Sequence, residues 1–270
     1  MNANETLWEQ GDFTRIAAAM RGSGEGLVAR LGLAPAARVL DLGCGDGTTA
    51  LPAARCVREV VGVDIARNLV AAGNRRAAEA GLTNLRFQHG DACDLVYHED
   101  DSFDEVLSIF GAMFAPEPAA AAREMVRVTR PGGRITMGNW IPGDPTLVAE
   151  ILRISAQYSP PPPAGFVSPM TWGVREHVVD RFGAAGVPAD HVQCTEEQWV
   201  FETPRPPAAF LADFRDYYGP TMNAFAAAEA DGRAEDLWRE LEALFSAHNR
   251  ADHGDSTSIP ATYLQVTVEV

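Results

Sequence analysis

Lysine is absent from this 270-residue chain, and all 22 of its basic residues are arginine. That excludes Schiff-base chemistry, pyridoxal phosphate anchoring and a Walker-type phosphate loop, each of which needs a lysine amine. Cysteine is scarce as well. Cys44, Cys56, Cys93 and Cys194 form no Cys-x-x-Cys pair, and no histidine stands at ligand spacing from them. Neither a metal site nor a disulfide framework is expected. Cys44 reads as a small residue inside a glycine turn and the other three as buried fillers.

Positive charge is in deficit: 22 basic residues stand against 37 acidic ones, for a net charge of −15. A surface of that sign repels phosphate backbones and anionic lipid, so no nucleic acid and no membrane partner is expected. A small molecule is the expected partner. No run approaches the roughly 20 apolar residues that span a bilayer. The polar, acidic start from Met1 to Gln10 has the character of neither a secretory nor a transit peptide. The expectation is a soluble, cytoplasmic protein.

From Arg38 onward, short apolar runs alternate with helical stretches. Strands are expected at 38–42, 59–64, 84–89, 103–109 and 133–139, with helices at 48–57, 68–80 and 119–128. That alternation implies βαβ units and a parallel sheet covered on both faces. Residues 5–31 read as one or two helices broken at Gly22-Ser23-Gly24. Beyond Trp140, helices are expected at 144–155, 177–182, 207–218, 222–230 and 234–249, and Pro160–Pro163 as a stiff extended segment. Residues 191–201 and 262–270 alternate like antiparallel strands.

Chemistry concentrates where the first strand ends. Asp41 closes the strand, and Gly43, Gly45 and Gly47 follow before a helix begins near Thr48. Glycines there permit a tight turn and close approach of a ligand, above a helix start whose free N–H groups carry partial positive charge. Many nucleotide-binding proteins share such a turn. Two carboxylates narrow the reading: Asp64 ends the second strand, 19 residues after Gly45, where it can accept from ribose hydroxyls. Its charge also opposes a 2′-phosphate. Asp91 follows the third strand, placed to receive an adenine amine, with Ile65 available to stack on the base.

These segments resemble the class I S-adenosylmethionine-dependent methyltransferases. The resemblance rests on Val39-Leu40-Asp41-Leu42-Gly43-Cys44-Gly45-Asp46-Gly47, Gly62-Val63-Asp64-Ile65, Gly90-Asp91-Ala92, Asp101-Ser102-Phe103-Asp104 and Arg130-Pro131-Gly132-Gly133-Arg134. All five fall in the family's order and cover roughly residues 35–140. Within the superfamily the chain is similar to the small-molecule branch around the ubiquinone/menaquinone C-methyltransferases. Trp8 to Phe13, Asn139-Trp140, Pro160–Pro163 and Tyr217 to Thr221 are similar to one bacterial group there.

The resemblance implies an α/β fold with a seven-stranded Rossmann-like sheet, mostly parallel with an antiparallel C-terminal hairpin, helices on both faces and an inserted helical cap. Residues 1–31 would be a helical lid and 32–270 the methyltransferase domain, with cap segments at 141–175 and 204–258. S-adenosylmethionine would be the cofactor. Gly43 and Gly45 would pass beneath its methionine part, with Asp41 orienting the amino group and Cys44 and Thr48 also binding the cofactor. Asp64 would hold the ribose, Ile65, Asp91 and Ala92 the adenine, and Ser108 and Phe110 would flank the sulfonium. Trp8 and Phe13 would belong to the lid. Met113, Phe114, Trp140, Trp172, Tyr217 and Tyr218 are candidates for the acceptor pocket.

No general base stands out among His89, His98 and His177, and methyl transfer to a substrate that is already nucleophilic requires none. An in-line displacement gains up to roughly 7–11 kcal/mol from positioning alone. Two other classes remain open on the sequence: an NAD-dependent oxidoreductase on the same kind of sheet, and a cofactor-binding protein without methyl transfer.

Overall fold

The computed structural model describes residues 3–270. Three short helices, α1 (Ala3–Glu9), α2 (Thr14–Ala18) and α3 (Arg21–Leu31), precede β1 (Arg38–Leu42). Then come α4 (Ala50–Ala54), β2 (Glu59–Asp64), α5 (Arg67–Glu79), β3 (Leu85–His89), β4 (Phe103–Ile109), α6 (Pro118–Val128) and β5 (Thr129–Trp140). The remainder is α7 (Leu147–Ala156), α8 (Arg175–Ala184), β6 (Val192–Thr203), α9 (Pro207–Tyr217), α10 (Gly219–Ala230), α11 (Ala234–His248) and β7 (Thr257–Glu269).

The strands form one seven-stranded sheet in the order β3-β2-β1-β4-β5-β7-β6. β1 to β5 pair in parallel, while β7 runs antiparallel to both β5 and β6. This is the expected Rossmann-like architecture. Its apolar runs are explained by burial on both faces: Leu40, Val61 and Val106 enter one core cluster, and Val39, Val60 and Leu107 the other. Because side chains alternate along a strand, no residue in these runs faces water. Among the described residues, no helix is long and apolar enough to cross a membrane.

Two local expectations are corrected. The glycines at 22–24 lie inside α3 and do not break it. A Cβ on Gly24 would stand 2.5 Å from the Thr48 carbonyl oxygen, so the small residue lets the helix pack closely on the turn after β1. The fifth strand starts at Thr129, ahead of the expected Gly133. Phe103 pairs with Thr129 but Glu105 with Arg134, so the intervening Arg-Pro-Gly-Gly segment bulges out. Arg130 and Arg134 fasten that bulge to Asp104 and Glu105 at 2.6 and 2.9 Å.

Candidate cofactor and substrate pocket

A cleft of about 890 Å³, measured to its open mouth, lies over the ends of β1, β2 and β4. Ligands on parallel sheets bind at this end, beyond the carboxyl ends of the strands. Its floor is the glycine turn. Gly43, Gly45 and Gly47 all adopt positive φ, at 68°, 55° and 92°. Gly43 also lies against the loop after β4: a Cβ there would be 2.5 Å from the Gly111 Cα. The β1 and β4 loops therefore meet backbone to backbone, and only paired glycines allow it.

Asp64 is 8% exposed, and its carboxylate accepts from the Gly45 N–H at 2.7 Å and the Ala66 N–H at 2.9 Å. It thus ties the end of β2 to the glycine turn. Burial raises its pKa, against the two N–H donors. Asp91 accepts from the Cys93 N–H at 2.8 Å, which fixes the tight turn after β3. Asp46, 1% exposed, is held by Arg21 and Arg76 at 3.2 and 3.1 Å. These three carboxylates are the charged side chains that line the pocket among the described residues, and Asp46 is already balanced by the two arginines behind it.

The outer wall is aromatic and comes from the N-terminal helices. Trp8 packs on Phe13, Phe114 and Tyr218, with ring centroids 5.8, 5.0 and 5.9 Å apart. Glu5 and Glu9 fasten α1 to the body: Glu5 meets His89 and Arg67, and Glu9 accepts from the Arg67 N–H.

The pocket wall includes Trp8, Phe13, Gly43, Cys44, Gly45 and Thr48. Asp64, Ile65, Asp91, Ala92, Phe110 and Phe114 complete the expected residues that line it. Other candidates lie elsewhere. Asp41 sits one layer beneath, accepting from the Thr49 hydroxyl at 2.6 Å. The Ser108 hydroxyl donates to the Leu42 carbonyl at 2.7 Å and accepts from the Ala112 N–H, so it braces the turn from below. Met113 is buried in the core.

Trp140 stacks behind Phe110 at 3.7 Å, and Trp172 packs against Phe182 and Arg181, away from the cleft. Tyr217 carries Arg15 over its ring, and Tyr218 backs Trp8 and Phe13. Segments 141–175 and 204–258 contribute nothing to the pocket wall. They reach it from behind: Tyr217 and Gly219 pack closely, backbone to backbone, on Gly11 and Leu7. The sequence reading missed Asn4, Ala17, Met20, Asp46, Thr49 and Trp199, which all line the cleft. Asp46 and Thr49 flank the glycine turn and were open to recognition. Trp199 was visible as a strand residue, but its face toward the pocket is set by tertiary packing.

Among the described residues no histidine or tyrosine lines the pocket, and His177 belongs to α8. Burial lowers the His98 pKa and raises that of the Tyr218 hydroxyl. Burial, reinforced by Asp64 and Asp41, likewise raises the Cys44 thiol and keeps it protonated. The pocket therefore presents no neutral-pH base among its described residues beyond its carboxylates.

Burial pushes Asp41 up to about 7, opposed by the Thr49 hydroxyl and reinforced by Asp64. Its folded value exceeds the unfolded value of 3.8, so the folded state binds this proton more tightly. That stabilisation is full at low pH and is lost as pH rises through the folded value. Asp41→Asn is expected to flatten the dependence of unfolding free energy on pH between about 4 and 7. Urea unfolding across that range checks it, and an unaltered slope would contradict the assignment.

Residues 39–133 match the family model described as a methyltransferase domain. An uncharacterised protein of Mycobacterium tuberculosis is 34% identical over 224 residues, covering 83% of this chain and 79% of that protein. The demethylmenaquinone methyltransferase of Clavibacter sepedonicus is 40% identical over 100 residues, covering 37% of this chain and 40% of the enzyme. Among solved structures, the YcgJ protein of Bacillus subtilis superposes with a TM-score of 0.59 at 23% identity, covering 91% of this chain and 97% of that one. That likeness is one of fold.

Proposed function

The chain belongs to the class I S-adenosylmethionine-dependent methyltransferases, and we propose that it methylates a small, largely apolar molecule bound beneath the aromatic wall of its N-terminal helices. S-adenosylmethionine, its cofactor, supplies an electrophilic methyl group on a sulfonium. The observation that carries the reading is the composition of the cleft: one flank is backbone and carboxylate, the other apolar and aromatic.

Under this proposal Asp64 holds the ribose while still receiving the Gly45 N–H. Gly43, Cys44, Gly45 and Thr48 lie along the methionine part. Asp91, Ala92 and Ile65 frame the adenine. Asp41 and Ser108 act indirectly, by fixing the turn on which the donor rests. Phe110 is set beside the sulfonium by an unusual backbone, with φ of 59°. A non-glycine residue in that region costs free energy and persists where the surroundings enforce it. Here the Phe110 N–H bond to Gly138 and the stack on Trp140 enforce it.

The wall argues against a nicotinamide dinucleotide. A pyrophosphate would meet the carboxylates of Asp64 and Asp91, Asp46 being already paired with Arg21 and Arg76, whereas a sulfonium with an ammonium group is attracted to them. The lack of a histidine or tyrosine among the described lining residues suits an acceptor that arrives nucleophilic, and a dry aromatic pocket favours a transition state that disperses charge.

α1 and α2 serve as a lid in this account. Trp8→Ala is expected to weaken S-adenosylhomocysteine binding about tenfold, through lost ring contacts worth about 0.5–1.5 kcal/mol each. The same contacts hold α1 to the body, so Tm should also fall modestly while the protein stays folded. Calorimetric titration of the folded variant checks this, and wild-type affinity would remove the lid assignment. The function itself is tested by screening candidate acceptors for release of S-adenosylhomocysteine. Release that depends on one acceptor class supports methyl transfer, and binding of the cofactor without release to any acceptor points to a binding protein.

A further inference from the structure

We propose that the indole N–H of Trp199 orients the methyl acceptor, and that the acceptor is an apolar molecule carrying a hydrogen-bond-accepting oxygen. The inference rests on the methyltransferase reading and names the substrate class of the same pocket. Trp199 is 1% exposed, lines the cleft, and its buried Nε1 has no hydrogen-bond partner. A buried donor without an acceptor costs about 1–3 kcal/mol, and folded proteins keep few of them. An unpaired donor on a residue that lines a ligand pocket can be satisfied by the ligand.

Its location separates it from the donor's half of the site. Trp199 lies on β6, at the far edge of the sheet from β3, whereas Asp64 and Asp91 follow β2 and β3. Its ring neighbours are Phe110 and Tyr263, and the three wall carboxylates belong to the ends of β1, β2 and β3 and the turns that follow. An ammonium-bearing acceptor would find no counter-charge on this flank, and a carboxylate would find one neutral donor. A neutral carbonyl or a hydroxyl oxygen matches the single N–H.

The donor is also held still. The indole meets the Phe110 ring edge-on at 5.0 Å and Tyr263 at 6.1 Å. The strand beside it is clamped to α3, because the Ser23 hydroxyl bonds both the N–H and the C=O of Val200 at 2.9 Å. The Glu202 N–H donates to the Ala19 carbonyl at 2.8 Å. A fixed donor in a dry site is worth more than a mobile one, since little ordering remains on binding.

The test uses 1-tetralone, a flat ketone, and tetralin, the same skeleton without oxygen, added to protein saturated with S-adenosylhomocysteine. Wild type is expected to bind the ketone at least about tenfold more tightly, and Trp199→Phe to lose that preference while binding tetralin as before. The preference surviving in Trp199→Phe, both probes weakening together, or neither probe binding the loaded wild type would each overturn the proposal. Unchanged affinity of the variant for S-adenosylhomocysteine shows that the donor half is intact. Failure of wild type to bind that product counts instead against the methyltransferase reading. Should Trp199→Phe not fold, ¹⁵N spectra of the five tryptophans decide. One indole N–H signal, still present in Trp8→Phe, should shift with the ketone and not with tetralin, and its failure to shift would contradict the proposal.

Discussion

Asp64→Ala is expected to lower affinity for S-adenosylhomocysteine by at least about a hundredfold. The proposed ribose contacts are hydrogen bonds to a charged group, worth about 1.5–3 kcal/mol each. The carboxylate has a second task, since it also receives the Gly45 and Ala66 N–H groups and so sets the shape of the glycine turn. Asp64→Asn, which retains one oxygen acceptor, should fall between wild type and alanine. Calorimetry on each protein, with circular dichroism to confirm folding, gives the comparison. Wild-type affinity in Asp64→Ala would refute the assignment of the ribose to this side chain.

Gly43→Ala should be the most damaging change of a single methyl group in the cleft. Its φ of 68° costs an L-residue about 1–2 kcal/mol. The added Cβ would also stand 2.5 Å from the Gly111 Cα, and backbone cannot swing aside as a flexible side chain does. A loss of about 3 kcal/mol is expected, which lowers Tm by roughly 6–12 °C for a domain near this size. Cofactor affinity should fall with it, because the two loops must part. Gly32→Ala is the control: it shares the positive φ, but nothing lies within 4 Å of its Cβ. It should cost only about 1 kcal/mol and leave binding intact. Equal effects at the two positions would mean that contact between the loops does not matter.

The parallel half of the fold was legible because a strand buried on both faces leaves a plain record. Arg38-Val39-Leu40-Asp41-Leu42 and Glu59 to Asp64 match β1 and β2 residue for residue. The donor half of the pocket was legible for a related reason. Gly43, Gly45, Asp64 and Asp91 sit at chain positions fixed by strand ends, and periodicity places strand ends well. The glycines of α3 misled because local propensity favours a break there, while packing against Thr48 supplies what propensity lacks.

The acceptor half was not legible. Trp140, Trp172, Tyr217 and Tyr218 are large aromatics near the motif in sequence or in the family pattern, but packing sends them behind the wall. Trp199 reaches the cleft only because β6 folds back beside β7, 12 residues of register that no local signal announces. Which aromatic faces a pocket is decided by strand register and neighbouring helices, and a sequence window records neither.

The account turns on the nature of the ligand in the cleft, and one calorimetric experiment addresses it directly. S-adenosylhomocysteine and NAD are titrated separately into wild-type protein and into Asp64→Ala. Saturable binding of S-adenosylhomocysteine to wild type, greatly weakened in the variant, with no binding of NAD, is the predicted result. Binding of NAD in its place, or affinity for S-adenosylhomocysteine that is indifferent to Asp64, would contradict it.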